Sequence, residues 1–332
     1  MKVATMRSAI RAIPGLAAEG YVRHELHRDA SQWVEKNCYV DVWIELLHTL
    51  GMEPLAMLSV SAGTHFDGDQ WTFLKPSHSD LWELYGLDVQ EFNVWRPLIE
   101  HAVEYLGDSR LISTEADAFW LPDTAGTDYR RKHTKSTIIL AEIDVDSERL
   151  GYFHNGAYYV LSGEDFRETF RVGKANEPTW MPLFAELIRI DRLTHRTLPE
   201  LRALARRMLI REVARRPAGN PFIGFEDRWR QDFVALQEGG IDYYHAWAFA
   251  NLRQVGAACE LAARFFEWLF DPADSASRVL VERHGEMSAI VKALVLKGAR
   301  SVMVRKPLDF APLETLRNHW QECSAVLERL SI

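Results

Sequence analysis

The hydrophobic period of the chain changes once, near residue 170, and this change constrains the fold more than any other feature of the sequence. Before it, the β-branched segment STIILAEID (136–144) predicts a strand. RLGYFHNGAYYVLS (149–162) predicts two strands joined by the hairpin dipeptide Asn155-Gly156. After the change, every apolar pattern has the helical period, so an α+β region precedes an all-helical one.

These patterns predict an α+β domain over 1–170 and an all-helical domain over 171–332. The longest helical pattern, 241–270, carries apolar residues on several sides. Such a helix is buried either within its own chain or against a second copy. A homodimer formed through the C-terminal helices is therefore one expectation.

The composition excludes several function classes. The 332 residues carry a net charge of −8 and a pI of about 5.9, which disfavours a uniformly basic surface for nucleic acid. Three cysteines without a CxxC pair suggest neither a disulfide framework nor a structural zinc site. The sequence has no phosphate-binding glycine motif, no membrane-length uncharged run and no signal-peptide segment. We expect a cytoplasmic protein that binds no membrane, metal or cofactor of its own.

Cys38 is the first candidate for chemistry, because it stands where an apolar helix begins. Residues 38–50 place apolar side chains on one helical face, with Asn37 suited to cap the helix and Gly51 to end it. A thiol in the first turn lies near unpaired N–H groups and the positive end of the helix dipole, which favour the reactive thiolate. The alternative is a packed core residue, since free cysteine is among the most buried residue types.

A thiolate nucleophile needs an imidazole partner and a group that orients the imidazole. His133 precedes the 136–144 strand, and either Asn155 in the hairpin or Asp144 would orient it. His154 adjoins Asn155 but would point to the opposite face of the sheet, because side chains alternate along a strand. The alternatives are that His133 is an ordinary loop histidine and Asn155 an ordinary turn residue.

Acyl transfer also needs hydrogen-bond donors for the developing oxyanion. Gln32 lies six residues before Cys38, as the oxyanion glutamine does in papain-like enzymes. The backbone N–H of Cys38 would be the second donor. Otherwise Gln32 is a surface residue.

Several segments, taken in order, resemble the N-terminal domain of the butirosin-biosynthesis acyltransferase (BtrH-like) family. The resemblance spans residues 35–162, about two fifths of the chain. The chain looks closer still to an uncharacterised bacterial family. The segments that carry the resemblance are NCYVDVWIELLHTLG, FDGDQWTFLKP, DVQEFNVWRPLIEHAVEYL, TEADAFWLPDTAGTDYRRKHTK and LGYFHNGAYYVL.

The resemblance implies a papain-like cysteine fold used for acyl transfer. Enzymes of that family move an acyl or aminoacyl group from the phosphopantetheine thiol of a carrier protein to an amine. By position, Cys38 would be the nucleophile, His133 the base, and Asn155 or Asp144 the orienting residue. Two positions depart from the family pattern: His133 stands three residues before Ser136 rather than directly before the strand, and Asn155 replaces the usual aspartate.

A carrier protein presents an acidic helix, so basic side chains near the site are candidates for its docking surface. The run Arg130-Arg131-Lys132 adjoins His133 and would receive the carrier with its phosphopantetheine arm. A second basic group is the alternative, although it also fits a solvated helix face. It consists of Arg206, Arg207, Arg211, Arg215 and Arg216.

Two other functions are compatible with the same sequence. A cysteine amidase or peptidase would use the same residues with water in place of the amine. A non-catalytic binding module would retain the fold with Cys38 merely packed.

Overall fold

The computed structural model describes residues 9–174 and 181–330. They form two compact units, each assembled from three chain segments. The first unit consists of Met1–Arg28, Asn37–Pro54 and Ser77–Arg196, and the second of Asp29–Lys36, Leu55–Pro76 and Thr197–Ile332. The first unit holds the sheet and the second is helical, which confirms the α+β class and the helical C-terminal half.

The first unit is built on an antiparallel sheet. Its order is β2-β7-β3-β4-β5-β6, and β1 pairs with β4. The strands are β1 Ile10–Arg11, β2 Asp88–Glu91, β3 Arg110–Asp117, β4 Lys135–Asp144, β5 Arg149–His154, β6 Ala157–Ser162 and β7 Ala185–Arg189. The helices of this unit are α1 Cys38–Thr49, α2 His78–Tyr85, α3 Leu98–Gly107 and α4 Glu164–Thr169.

The predicted hairpin is confirmed between β5 and β6. Asn155 adopts a positive φ of 46°, as a tight hairpin of this kind requires. Gly156 is needed for a second reason, because a Cβ at this position would lie 2.7 Å from Cγ of His27. The turn therefore combines a local backbone preference with close packing against the segment that precedes α1.

Helix α1 packs across β4, β5 and β6, and the side chains of residues 39–47 are buried. The predicted cap is confirmed: the Asn37 side chain accepts hydrogen bonds from the backbone N–H groups of Tyr39 (3.0 Å) and Val40 (2.8 Å). Large apolar side chains such as Trp43 are fully buried, and the burial of each stabilises the folded chain by roughly 1.5–3 kcal/mol. Burial and capping together fix the position of the first helical residue, Cys38.

The second unit is a set of long helices around an aromatic core. They are α5 Leu198–Ala214, α6 Pro221–Ala248, α7 Gln254–Leu269, α8 Ser275–Val304 and α9 Ala311–Leu330. Trp71 and Phe222 pack with ring centroids 4.9 Å apart. Among the described residues, no helix has both the length and the apolar character that a membrane crossing requires.

The prediction of one helix over 241–270 is wrong in detail. Gly240 interrupts α6 with φ 77° and ψ −170°, and a π-helical segment, Phe249–Arg253, separates α6 from α7. Apolar residues beyond this segment, including Leu261 and Phe265, are buried by the single chain. Their burial needs no second copy, and the homodimer stays a prediction.

Candidate active site around Cys38

Cys38 is the first residue of α1, and it is half-buried. Its Sγ lies 3.8 Å from Oγ1 of Thr137 in β4. The other two thiols are buried, and burial raises the pKa of Cys323 to about 12 and that of Cys259 well above its ordinary value. Cys38 is therefore the thiol best placed to meet a substrate.

The sheet face beneath Cys38 is polar where β3 ends and β4 begins. Thr137 pairs with Glu115 and Lys135 pairs with Asp117, and directly opposed residues of an antiparallel ladder share a face. Nζ of Lys135 lies 3.3 Å from Oε1 of Glu115. A charged patch therefore continues from the thiol toward the strand ends.

His133 extends this patch and is paired with Asp117. Its Nδ1 lies 2.5 Å from Oδ2 of Asp117, and its ring stacks on Phe119 with the centroids 4.4 Å apart. The imidazole is 70% exposed. If Nδ1–H is donated to the carboxylate, Nε2 carries the lone pair and can accept a proton. The partner of His133 is therefore Asp117, where the sequence predicts Asn155 or Asp144.

The structure does not bring His133 into contact with the thiol. Within the described residues, no ring nitrogen is a hydrogen-bond partner of Sγ of Cys38, whose partner is Thr137. His133 precedes Thr137 by four residues, a span of at most about 13 Å in an extended chain. The thiol therefore lies beside Thr137 near the beginning of β4, and the imidazole belongs to the segment that leads into this strand.

Asn155 and Asp144 have different positions. The β4–β5 ladder ends with Ile138 opposite His154. Asn155, the first residue after β5, therefore lies level with Thr137 of β4. Asp144 is the last residue of β4, where it accepts a hydrogen bond from the N–H of Ser147. The Asp144 assignment is wrong for this reason: the length of β4 separates it from His133.

His154 lies on the opposite face of the sheet, as predicted. Its Nε2 is 2.6 Å from Oγ of Ser136, and its Nδ1 is 2.5 Å from Oδ2 of Asp123. Tyr152 donates its hydroxyl to the other carboxylate oxygen at 2.5 Å. The order Ser-His-Asp is that of a catalytic triad, but His154 is 1% and Ser136 7% exposed. Substrate access is closed, so this network holds the beginning of β4 in place.

A third histidine lies against α1 between two carboxylates. Both ring nitrogens of His27 face carboxylate oxygens, Nδ1 toward Glu45 and Nε2 toward Asp41 at 3.0 Å. All three side chains are fully buried. A neutral imidazole has one N–H, so the second contact needs another proton, either on the ring or on a carboxyl group. The sequence carried a signal for this cluster, since Asp41 and Glu45 are four residues apart and therefore share one side of α1.

A fourth histidine lies near the residue that follows Cys38. Nε2 of His78 is 3.0 Å from the Tyr39 hydroxyl and 3.2 Å from Oε1 of Glu186. The imidazole is about one-third exposed. No local pattern predicted this group, because its three members come from α2, α1 and β7. Across residues 9–174 and 181–330, no cluster of His, Cys, Asp and Glu is arranged to hold a metal ion.

The three residues of the predicted basic run, 130–132, differ in their contacts with carboxylates and solvent. Arg130 pairs with Asp165 at 2.6 Å and Glu164 at 3.0 Å, and its guanidinium lies 4.4 Å from the centre of the Trp120 ring. Arg131 and Lys132 are exposed. These two side chains, rather than Arg130, present charge to solvent.

Gln32 and the second basic group lie in the helical unit. The backbone N–H of Gln32 donates to Glu260 at 2.6 Å. Its Oε1 is buried without a hydrogen-bond partner among the described residues. In the arginine group, burial lowers the pKa of Arg216 to about 10, and its guanidinium lies over the Trp320 ring. This residue is therefore not part of a solvated helix face.

Comparison with protein-family models assigns both parts of the chain. Residues 22–190 match the DUF1839 N-terminal domain, and residues 199–329 match the DUF1839 C-terminal domain. The chain belongs to the DUF1839 family. Cys38, His133 and Asp117 all lie in the N-terminal domain of this family, whereas the helical half matches its C-terminal domain.

The two DUF1839 domains meet between residues 190 and 199, and the last chain segment of the helical unit begins at Thr197. The boundary expected from the sequence, near residue 170, comes earlier along the chain. A search of curated proteins finds no significant match. The family assignment thus identifies the domains without naming a reaction.

Proposed function

We propose that this DUF1839 protein is a cysteine-dependent acyltransferase with a papain-like N-terminal domain. It takes an acyl or aminoacyl group from the phosphopantetheine thioester of a carrier protein and passes it to an amine. The observation that carries the proposal is the position of Cys38. The thiol is half-exposed at the start of a buried, capped helix and faces a strand end that bears a His133–Asp117 pair.

The first step is attack by the Cys38 thiolate on the thioester carbonyl carbon. The bond from that carbon to the phosphopantetheine sulfur breaks, the arm leaves as a thiolate that takes a proton from solvent, and an acyl-cysteine remains. The charged patch of Glu115, Lys135 and Asp117 then receives the amine acceptor. Its carboxylates attract an ammonium group, which releases one proton to solvent and so becomes the attacking amine.

The second step forms the amide. The acceptor amine attacks the acyl-cysteine, Nε2 of His133 takes its proton, and the Cys38 thiolate leaves. The interval between Thr137 and His133, at most about 13 Å, is the place for the acceptor. Asp117 holds the imidazole in the tautomer that accepts the proton. Exposed Arg131 and Lys132 offer cations to an acidic carrier helix.

Intact-mass analysis after mixing with acylated carrier proteins tests this proposal. We expect a mass gain equal to the acyl group, loss of that gain in Cys38→Ala, and its retention in the matched control Cys323→Ala. Circular dichroism checks that both variants fold. Retention of the gain in Cys38→Ala, or no gain with any acyl carrier, contradicts the proposal. Decay of the adduct in the absence of amine favours a hydrolase.

A non-catalytic binding module is the second candidate, and one observation favours it. Thr137, which cannot act as a base at neutral pH, faces the Cys38 sulfur and lies level with Asn155. A papain-like site needs its imidazole at this position beside the sulfur, where the structure has Thr137. The pH profile of iodoacetamide alkylation at Cys38 separates the candidates. A rate that follows an ordinary cysteine pKa of about 8.5 supports the module, and a plateau extending below pH 7 supports the enzyme.

A further inference from the structure

The helical unit contains a cavity between the C-terminal end of α5 and one side of α9. Its volume is about 240 Å³, and the loop that joins α5 to α6 forms part of its wall. The lining residues that decide its chemistry are Arg216, Trp320, Gln321, Ser324 and Glu328. The acyl transfer proposed above uses none of these residues.

The guanidinium of Arg216 has few partners, although its side chain is half-buried. Nε and Nη2 are buried without a hydrogen-bond partner in the described part of the chain, and Nη1 lies 3.4 Å from Oγ of Ser324. The guanidinium lies 5.1 Å from the centre of the Trp320 ring. Nε and Nη2 share the edge of a guanidinium that binds a carboxylate through two parallel hydrogen bonds. The edge best suited to an oxyanion is therefore the one without a partner.

No described carboxylate forms an ion pair with Arg216. The buried groups near it are Cys323 and His284, whose Sγ and Nδ1 atoms lie 3.4 Å apart. Burial raises the pKa of Cys323 to about 12 and lowers that of His284 to about 4, so both are neutral at pH 7. Burial also lowers the pKa of Arg216 to about 10, against the charge of Glu328, and Arg216 remains a cation. A desolvated cation of this kind favours an anionic partner, because charges in protein interiors are stable when they are paired.

The unpartnered edge of Arg216 is within reach of the cavity. Arg216 lines the cavity, and rotation about its last side-chain torsions turns Nε and Nη2 toward it at the cost of only the long contact to Ser324. Ser324 precedes the end of α9 at Leu330 by six residues, about 9 Å along the helix axis. The candidate anion site therefore lies beside the body of α9 rather than at its end.

We propose that this cavity binds the carboxylate of a small organic acid that carries a single negative charge. Arg216 donates two hydrogen bonds to the carboxylate, and the Ser324 hydroxyl donates a third. The cavity volume equals about eight water molecules at roughly 30 Å³ each, which limits the ligand to a few carbon atoms. Glu328 lines the same cavity and repels a second negative charge. This binding does not depend on acyl transfer at Cys38.

Isothermal titration of the full-length protein with propionate, at constant ionic strength and pH 8, tests this site. Propionamide is the neutral analogue of similar shape, and inorganic phosphate is the anion with a second charge. We expect one saturable propionate site per chain, weaker binding of phosphate and no binding of propionamide. Arg216→Gln raises the dissociation constant for propionate at least tenfold, because it removes two charge-assisted hydrogen bonds. Ser324→Ala raises it about threefold by removing one hydrogen bond.

The matched control is Arg215→Gln, which removes the neighbouring cation. Arg215 is 71% exposed and is not among the described lining residues, so the affinity for propionate stays unchanged. Glu328→Gln tests the preference for a single charge, and we expect it to strengthen the binding of phosphate more than that of propionate.

Thermal melting checks that each variant folds, and Ser324→Ala keeps the proposal testable if Arg216→Gln does not fold. Three results overturn the proposal: no saturable propionate binding up to about 10 mM, equal binding of propionamide, or unchanged affinity in every folded variant of Arg216 and Ser324. Phosphate binding as tight as that of propionate contradicts the assignment of a singly charged ligand.

Discussion

Ser136 and Thr137 are neighbours in β4 and point to opposite faces of the sheet. Each face carries a histidine–carboxylate pair, and the two pairs differ in their exposure to solvent. On the Ser136 face, His154 and Asp123 are buried and joined to further hydroxyl groups. On the Thr137 face, His133 is 70% exposed and Asp117 is its one described hydrogen-bond partner. Burial, rather than the pairing itself, separates a structural pair from one available to a substrate.

The largest expected difference in the free energy of unfolding is between the variants His154→Ala and His133→Ala. His154→Ala leaves the Asp123 carboxylate buried and short of one donor, and we expect a loss of about 3 kcal/mol in the free energy of unfolding. His133→Ala removes an exposed ring and costs less than about 1 kcal/mol. Urea unfolding of both variants measures the difference. Equal losses would mean that the two faces do not differ as described.

Substitutions of the adjacent β4 residues Ser136 and Thr137 are more closely matched, and we expect a smaller difference between their free energies of unfolding. Ser136→Ala leaves Nε2 of buried His154 without its hydroxyl donor, so we expect a loss of about 1–2 kcal/mol. Thr137→Val keeps the side-chain shape and removes a hydroxyl whose described contact is a sulfur at 3.8 Å, at a cost below about 0.5 kcal/mol. The same unfolding measurement applies. A larger loss for Thr137→Val would place the structural network on the Cys38 face.

We expect the smallest effect on the free energy of unfolding from His24, which packs against α1. This imidazole is half-buried, whereas that of His133 is 70% exposed. Burial lowers the pKa of His24 from 6.5 to about 4, so between these values the unfolded chain binds a proton that the folded chain does not. Stability therefore falls as pH drops through this window and levels off below it. We expect a contribution of about 1 kcal/mol after solvent screening of the partly exposed ring.

His24→Asn tests this contribution, because asparagine retains an acceptor for the Leu26 N–H that His24 now binds at 3.3 Å. Unfolding free energies measured at pH 6.5 and pH 4 should differ less in the variant than in the parent protein. Identical pH dependence in the two proteins would show that burial on the α1 side does not control this imidazole.

The parts of the fold predicted from sequence are those set by neighbouring residues. Asn37 caps α1 through N–H groups two and three positions ahead, and Asn155-Gly156 forms a turn between two directly connected strands. The carboxylate partners of the histidines were not predicted. Asp117 meets His133 through the register of β3 on β4, and no local pattern encodes that register.

By itself, the sequence determined the class of each half, the start of α1 at Cys38 and the alternation that separates His154 from Asn155. These follow from hydrogen bonds and periodicities that span a few residues. Only the tertiary structure decided that Thr137 faces the thiol, that Asp117 orients His133 and that Asp144 lies too far away. Strand pairing brings together residues far apart in the chain, and the pairs it selects depend on how the whole sheet buries its side chains.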